Sequence, residues 1–459
     1  MRAVEVIIWG FGAMGSGMAG MLLAKKGVEI KAVLDINPTI VGKSIFELLG
    51  AKRGDHPDVV VTDQVSNIIR PGGADIVLLA TDSFVEATMP RLRMCLEAGL
   101  SVISTAEEMA YPAAQSPQLA EEIDRLARAG RASVLGTGIN PGFVLDSLIL
   151  ALSATCPDVK SIYASRVNDL APFGRAVMHE QGVGISKDEF HARVRQDSLA
   201  GHVGFPESVG LLAEGLGKQI DRLEQTKQPI VTSVYRKSAY GEAKEGHVAG
   251  IRQQVKAFDE NGELFIHLDH PQQICPHLEG VATADTIEID TGDYTVRMQI
   301  SPEIPGGTGT IAMVVNSIPL VLNARDGLLT MLDLPLPRAV IGDFRALLND
   351  RGIARVDGAR KKAGDYVVIE FTVLTSEERA PGLPDETADV DLLARVKGHL
   401  AEDGRVGDIV TVRTLSGRLL QGRLTAESTA ATHTYGPPVE ALFALREDVK
   451  SRLANNPAD

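Results

Sequence analysis

Cysteine is nearly missing from this chain: three residues in 459, Cys95, Cys156 and Cys275, far apart and odd in number. That excludes a disulfide framework and any cysteine-based metal spacing, and it fits a reducing, cytoplasmic compartment. Dense basic clusters are missing too. With 46 basic and 60 acidic residues the net charge is -14, which argues against nucleic acid or an anionic membrane as partner. No apolar run is long enough to span a bilayer; the best candidate, Gly142 to Leu152, is short and carries Asp146. An export signal is disfavoured because Glu5 interrupts the first apolar run and Lys25-Lys26 fall at its end, not its start. Repeats and low-complexity segments are absent. His267-Leu268-Asp269-His270 is the nearest approach to a metal corner, but it has no third or fourth ligand nearby and reads as a solvated turn before Pro271, so no metal is expected.

What is present is concentrated at the start. The strand-like run Val4 to Trp9 flows into Gly10-Phe11-Gly12-Ala13-Met14-Gly15, then an amphipathic helix (Met14, Met18, Met21, Leu22), then a second apolar strand ending on Asp35. A GxGxxG alone is weak evidence; between a strand and a helix, with an acid at that distance, it is a dinucleotide fingerprint. Gly10 permits the tight turn, Gly12 lets backbone approach a pyrophosphate, and Gly15 lets helix and strand pack closely. The free N–H groups at the helix start, from Ala13 and Met14 onward, favour the phosphate charge. Asp35 would accept from an adenosine ribose and repel the 2′-phosphate of NADP. NAD is therefore the expected cofactor, with NADP possible.

Strand and helix patterns alternate over the first 150 residues, as a doubly wound parallel sheet requires. Ala74 to Ala80 reads as a fully buried central strand, followed by a helix from Val85 to Ala98, a strand Ser101–Ser104, a helix from Pro117 to Ala129 and a strand Ser133–Gly136. Ligands of such sheets bind beyond the carboxyl ends of the strands. That singles out Ala80-Thr81-Asp82-Ser83, Thr105-Ala106-Glu107-Glu108 and Thr137 to Gly142. From about 160 to 312 short alternating strands with helical stretches between them suggest an inserted α+β domain. A helix-like run from Ala312 to Leu332 returns to the first domain, and a charged connector leads to short strands and turns from Gly364 on, a small barrel-like β domain. The expected plan is an α/β chain: a Rossmann domain over 1–155, an α+β substrate and dimerisation domain over 156–312, a returning helix over 313–350, a linker over 351–362 and a β domain over 363–459.

Particular stretches carry family resemblances. Gly10–Gly15, Val41-Gly42-Lys43-Ser44, Thr105 to Pro112, Gly138 to Phe143, Gly201 to Ser208 and Val315 to Pro319 make residues 1 to about 345 resemble 2,4-diaminopentanoate dehydrogenase, a relative of dihydrodipicolinate reductase. Gly364 to Val367, Glu378 to Pro381, Val396-Lys397-Gly398, Gly417-Arg418 and His433-Thr434-Tyr435-Gly436 make residues 363–450 resemble the alpha subunit of 2-amino-4-oxopentanoate thiolase. Ala430-Ala431 stands where that family has a more Asn-Pro-like turn. The reductase's catalytic His and Lys are missing from the comparable stretch Ser165 to Gly174, which argues against the reductase reaction itself. The first family releases 2-amino-4-oxopentanoate and the second consumes it with coenzyme A. The resemblance thus implies a fusion of consecutive steps in oxidative ornithine breakdown.

It also implies oxidative deamination of a small diamino acid. Only a neutral amine can expel hydride toward a nicotinamide, so a base must first take a proton from the ammonium, a transfer that contributes about 10²–10⁴-fold. Glu107 or Glu108, beyond a strand end, is the candidate base, and the alternative for each is an acid stabilised by a helix start. His179 and His202 are further acid/base candidates. Arg166 is the leading candidate for the substrate carboxylate, with Arg175 second. Asn168 and Asp169 are placed at the ammonium, and Asn140 at the nicotinamide amide or the substrate. The competing reading is another amino-acid or homoserine-type dehydrogenase with the C-terminal domain acting only as an adaptor. Nothing in residues 363–459 resembles a cofactor lysine site or a nucleophile elbow, so a separate pyridoxal-phosphate thiolase beta subunit is the expected partner. A homodimer or homotetramer is expected from the resemblance.

Overall fold

The computed structural model describes residues 2–357, 361–375, 378–380, 391–404, 406 and 408–425. Pro381, Ala430-Ala431 and His433 to Gly436 lie outside them. The described chain divides into two compact units, residues 1–356 and 357–459.

The first unit begins with alternating β1 (Val4–Trp9), α1 (Ala13–Leu23), β2 (Val28–Leu34), α2 (Ile45–Leu49), β3 (Val61–Thr62), α3 (Val65–Ile68), β4 (Ile76–Leu79), α4 (Val85–Glu97), β5 (Ser101–Ser104), α5 (Pro117–Ala129) and β6 (Ser133–Gly136). Its second part holds α6 (Ser147–Ser153), β7 (Ser161–Asp169), α7 (Arg175–Glu180), α8 (Lys187–Arg195), α9 (Phe205–Leu216), β8 (Ile220–Val231), β9 (Arg236–Lys237), β10 (Glu242–Ala243), β11 (Val248–Asp259), β12 (Leu264–Gln273), β13 (Ala284–Asp290) and β14 (Thr295–Ile300). The chain then returns through α10 (Gly306–Asn323), β15 (Gly327–Leu329) and α11 (Asp350–Asp357).

The strands of the first sheet lie in the order β15-β6-β5-β4-β1-β2-β3, with parallel neighbours throughout. Its two faces can be read off β1. Val4, Val6 and Ile8 enter the core under α1 and α10, while Ile7 and Trp9 enter the core under α4 and α5. On β4, Ile76 and Leu78 join the first core and Val77 and Leu79 the second. Period-two alternation between two apolar layers is what a doubly wound sheet demands, and each buried branched side chain contributes about 1.5–3 kcal/mol. The order reverses at β1, with β2 on one side and β4 on the other, so the glycine turn stands at the topological switch point. The returning segment is more than a helix: α10 ends at Asn323, and β15 adds an edge strand beside β6.

The second sheet runs β14-β13-β7-β12-β11-β8, mixed, with β7 and β12 parallel. One face of it is graded. Ile289, Ile162, Ile266 and Ala257 form one row and Ile287, Ala164, Leu268 and Val255 the next, packed with Phe205, Val209 and Leu212 of α9. The following row is polar: Asp285, Arg166, His270 and Gln253, every one buried. Asn168 and Gln272 stand one step further on. The sheet thus changes from core to site along its own strands.

In the second unit β16 (Tyr366–Leu374), β17 (Leu392–Leu400), β18 (Ile409–Arg413) and β19 (Leu419–Leu424) close a barrel around Val367, Ile369, Leu400, Val410, Val412 and Leu424.

Candidate active site

The glycine turn has the shape that its residue types predict. Gly10 has φ +95°, and a Cβ there would lie 2.4 Å from the Ala80 carbonyl oxygen. A Cβ on Gly15 would lie 1.8 Å from the Gly10 oxygen, whereas one on Gly12 would meet nothing within 4 Å. Gly10 and Gly15 are thus steric necessities of the turn, and Gly12 leaves open space for a ligand. Helix α1 begins at Ala13 and Met14 with no side-chain cap and no acid in its first turn, so its N-terminal donors are offered to an anion. Asp35 accepts from the Phe11 N–H at 2.6 Å and the Asn37 N–H at 2.8 Å, which fixes its carboxylate at the end of β2. Ala80 and Thr105 follow β4 and β5 and are held by backbone bonds to Trp9 and Leu79, and buried Ala106 is tied to Ser104 Oγ. Thr81 Oγ1 is buried without a partner beside Gly10. An orphaned hydroxyl, an open cradle and an uncapped helix fit a dinucleotide.

Glu107 and Glu108 follow β5 but diverge. Glu108 Oε2 accepts from the Val85 N–H at 2.8 Å and so caps the first turn of α4. The helix-stabilising alternative is realised for Glu108. Glu107 is half-buried beside the Ser83 side chain; desolvation pushes its carboxyl above the usual range, and the nearby carboxylates of Glu180 and Glu108 push the same way. Its Cβ lies 3.4 Å from where a Cβ of Gly204 would be, against the start of α9.

The loop from Thr137 to Gly142 is latched by Asp146. That fully buried carboxylate accepts from the Gly142 N–H at 2.7 Å, the Ser147 N–H and the Ser208 hydroxyl at 2.9 Å. One acid therefore ties the loop after β6 to α6 and α9. On that loop Asn140 Nδ2 lies 3.2 Å from His202 Nε2, and Asn140 Oδ1 is buried without a partner. The His202 ring stands edge-on to His270, with centroids 5.0 Å apart, and its backbone is held by Gln253 in both directions. His270 Nδ1 lies 2.6 Å from the Arg166 carbonyl oxygen. Because a carbonyl only accepts, Nδ1 carries the proton. Burial pushes His202 down to about 3 and His270 well below its ordinary value, and the Arg166 charge adds to both. Both rings are neutral at pH 7.

Other expected residues are placed differently. Arg166, expected as an open fork for a carboxylate, is 1% exposed, pairs with Asp285 at 2.6 Å and donates to the Ile304 carbonyl at 2.5 Å. Its charge is matched inside the fold because its strand neighbour on β13 is an aspartate. Asp169 Oδ1 accepts from the Ala171 and Cys275 N–H groups and so shapes the turn after β7. Asn168 is buried on the site face with Oδ1 unpartnered. His179 and Arg175 are exposed on α7. The stretch His267 to His270 is strand, not a solvated turn: alternation puts His267 against Tyr163 on one face and buried His270 on the other. Glu207, Gln253, His270 and Asp285 were missed; Glu207 had a signal, as an acid in the first turn of a helix that follows a glycine.

The comparisons agree with this geometry. Residues 4–124 match the family described as dihydrodipicolinate reductase, N-terminus, and residues 143–350 match the 2,4-diaminopentanoate dehydrogenase C-terminal domain. The 2,4-diaminopentanoate dehydrogenase of Acetoanaerobium sticklandii is 51% identical over 352 residues, 76% of this chain and 98% of that protein. The chain belongs to the 2,4-diaminopentanoate dehydrogenase family. It carries a further domain, because residues 360–453 match AKP thiolase subunit OrtA. The 2-amino-4-ketopentanoate thiolase alpha subunit of the same organism is 40% identical over 89 residues, 19% of this chain and 88% of that subunit. Among solved structures, an amine dehydrogenase from Mycobacterium smegmatis superposes with TM-score 0.66 at 26% identity, over 74% of this chain and 98% of that one.

Proposed function

We propose that this chain oxidises 2,4-diaminopentanoate to 2-amino-4-oxopentanoate with release of ammonia, and that its C-terminal unit serves the thiolytic step that consumes the product. The observation that carries this reading is the pairing on one chain: near-full-length likeness to a dehydrogenase of that substrate, joined to likeness to a thiolase alpha subunit acting on 2-amino-4-ketopentanoate. The place in ornithine degradation follows from the same pairing.

Residues 10–15, Thr81 and Asp35 would hold the nicotinamide cofactor, which supplies hydride acceptance when bound. Asp35 favours NAD, since a 2′-phosphate would bring a second negative charge to its carboxylate. Glu107 takes the proton from the ammonium to be oxidised, and partial burial gives its carboxylate the proton affinity this needs. With the amine neutral, its lone pair drives hydride off the carbon and leaves an iminium. Glu107 sheds that proton to solvent, then takes one from the water that adds to the iminium. It passes this proton to the nitrogen, which departs as ammonia as the hydroxyl proton is lost. Asn140, oriented by neutral His202, offers its free oxygen to a donor of the substrate or of the nicotinamide carboxamide. Asn168 serves the second ammonium, while Arg166 and Asp285 hold the polar row rigid beneath it.

NADH formation followed by absorbance tests this reading, with 2,4-diaminopentanoate as substrate, ornithine and lysine as controls, and NAD and NADP side by side. Turnover confined to the diaminopentanoate is expected, with NAD preferred. Equal turnover of ornithine would move the assignment to another amine dehydrogenase on the same scaffold.

A further inference from the structure

Beyond the row of Asp285, Arg166, His270 and Gln253, the same face of the second sheet carries two more amides, Asn168 on β7 and Gln272 on β12. They are register partners on neighbouring parallel strands, which stand about 4.8 Å apart. Alternation along each strand turns them to the side of Arg166 and His270, and each is buried, at 5% and 6% exposed. Asn168 Oδ1 has no partner among the described residues, and neither has Gln272 Nε2. An acceptor and a donor thus lie on adjacent strands with both capacities unused. Native folds rarely leave such groups unpaired, because nothing compensates their lost hydration. We infer that Asn168 and Gln272 form the subsite for the 2-amino-carboxylate end of the substrate: Asn168 Oδ1 accepts from the 2-ammonium, and Gln272 Nε2 donates to the carboxylate.

This inference rests on the reading of a 2,4-diamino acid as substrate, and adds the group that recognises its acid end. A guanidinium fork is the usual partner of a carboxylate, but Arg166, the cation of the row, is engaged by Asp285 and the Ile304 carbonyl. A neutral donor therefore takes the carboxylate, and among the described residues of this face Gln272 Nε2 is the buried donor left unpaired. Ile251, opposite Gln272 on β11, belongs to an apolar cluster with Phe190 and Leu199 and offers the amide no partner. Charge balance agrees. The 2-amino-carboxylate end is a zwitterion without net charge, which neutral amides suit, while the ammonium to be oxidised carries the excess positive charge and belongs with Glu107. The two ends are one step apart. His270, one row before Gln272, has its ring 5.0 Å from that of His202, and His202 meets Asn140 at 3.2 Å. Two residues along a strand cover about 6.6 Å, a length that a five-carbon diamino acid spans.

Calorimetric titration of the full-length protein loaded with NADH separates recognition from turnover, because a reduced cofactor cannot oxidise the amine. Three ligands keep the amine that would be oxidised: 2,4-diaminopentanoate, 4-aminopentanoate without the 2-amino group, and butane-1,3-diamine without the carboxylate. Gln272→Met should weaken 2,4-diaminopentanoate and 4-aminopentanoate by about 10–100-fold, and butane-1,3-diamine by less than about threefold. Asn168→Leu should weaken 2,4-diaminopentanoate and butane-1,3-diamine by a similar factor and spare 4-aminopentanoate. Gln272→Glu should bind butane-1,3-diamine more tightly than the wild type does, a gain that misfolding cannot produce. Equal losses for all three ligands would reduce both amides to a structural role. Unchanged affinities, a reversed pattern, or no binding of 2,4-diaminopentanoate to the wild type would overturn the assignment. The crossed pattern without NADH formation from 2,4-diaminopentanoate would remove the reaction and keep the subsite; turnover with a flat pattern would do the opposite.

Discussion

At the scale of single residues, the adjacent acids show what spacing can and cannot say. Their position beyond a strand of the sheet marked Glu107 and Glu108 as candidates, but only three-dimensional contacts separate a carboxylate on the Val85 N–H from one beside Ser83 and the start of α9. Glu107→Gln should keep nicotinamide binding and lower kcat by about 10²–10⁴-fold, read by steady-state rates beside cofactor titration. A loss below tenfold would give the proton transfer to another group. Arg166 teaches the converse. Sequence offered a planar cation in a promising place, and the buried partner lies 119 residues away on another strand. If the ion pair is structural, Asp285→Ala strands a guanidinium in the core and should cost about 3–5 kcal/mol, read by chemical denaturation. Full stability with only a raised KM would return Arg166 to the substrate.

Elements were legible where one periodicity ruled. The strands of the parallel sheet read as apolar runs because both faces are covered, and the glycine turn was legible because sterics leave no other residue at Gly10 and Gly15. Gly15→Ala should displace α1 from β1 and abolish cofactor binding, measured by NADH fluorescence, since the added methyl would lie 1.8 Å from a backbone oxygen. By contrast β11 and the second half of β12 do not read as strand. Their core-facing positions carry Gln253, His270 and Gln272 where a strand pattern asks for apolar residues. Polar residues belong there because the sheet face becomes the site, so function erased the signal of structure. The pairing of β1 with β4 buries a titrating acid. Asp75, buried before β4, accepts from Arg2 and from the Glu5 N–H, yet burial outweighs both and raises it from 3.8 to about 6. The native state then holds a proton that the unfolded chain releases. This contribution to stability is present below about pH 4 and is lost as pH rises through 6, by on the order of 3 kcal/mol. The stability difference between wild type and Asp75→Asn, measured by denaturation from pH 4 to 7, should change by that amount; a flat difference would mean that Asp75 is ionised throughout.

For the whole molecule, the decisive fact is that each unit has hydrophobic core of its own among the described residues. The cores of the dehydrogenase unit draw on residues before it, and the barrel closes on Val367, Ile369, Leu400, Val410, Val412 and Leu424. Units that bury their own apolar surface fold on their own. A chain cut after Asp357 should therefore keep the glycine turn, Glu107, Asn140 and the polar row, and retain kcat and KM for the oxidation within about twofold. The same cut should abolish any association with a thiolase beta subunit, because the likeness to the alpha subunit lies wholly in the part removed. Full thiolase turnover by the uncut chain without a partner would defeat the adaptor reading. Loss of dehydrogenase activity on truncation would show that the barrel supports the site and is not merely tethered to it. The two assays, run on the same truncated protein, separate a fusion of independent steps from an enzyme whose second unit has become part of the first.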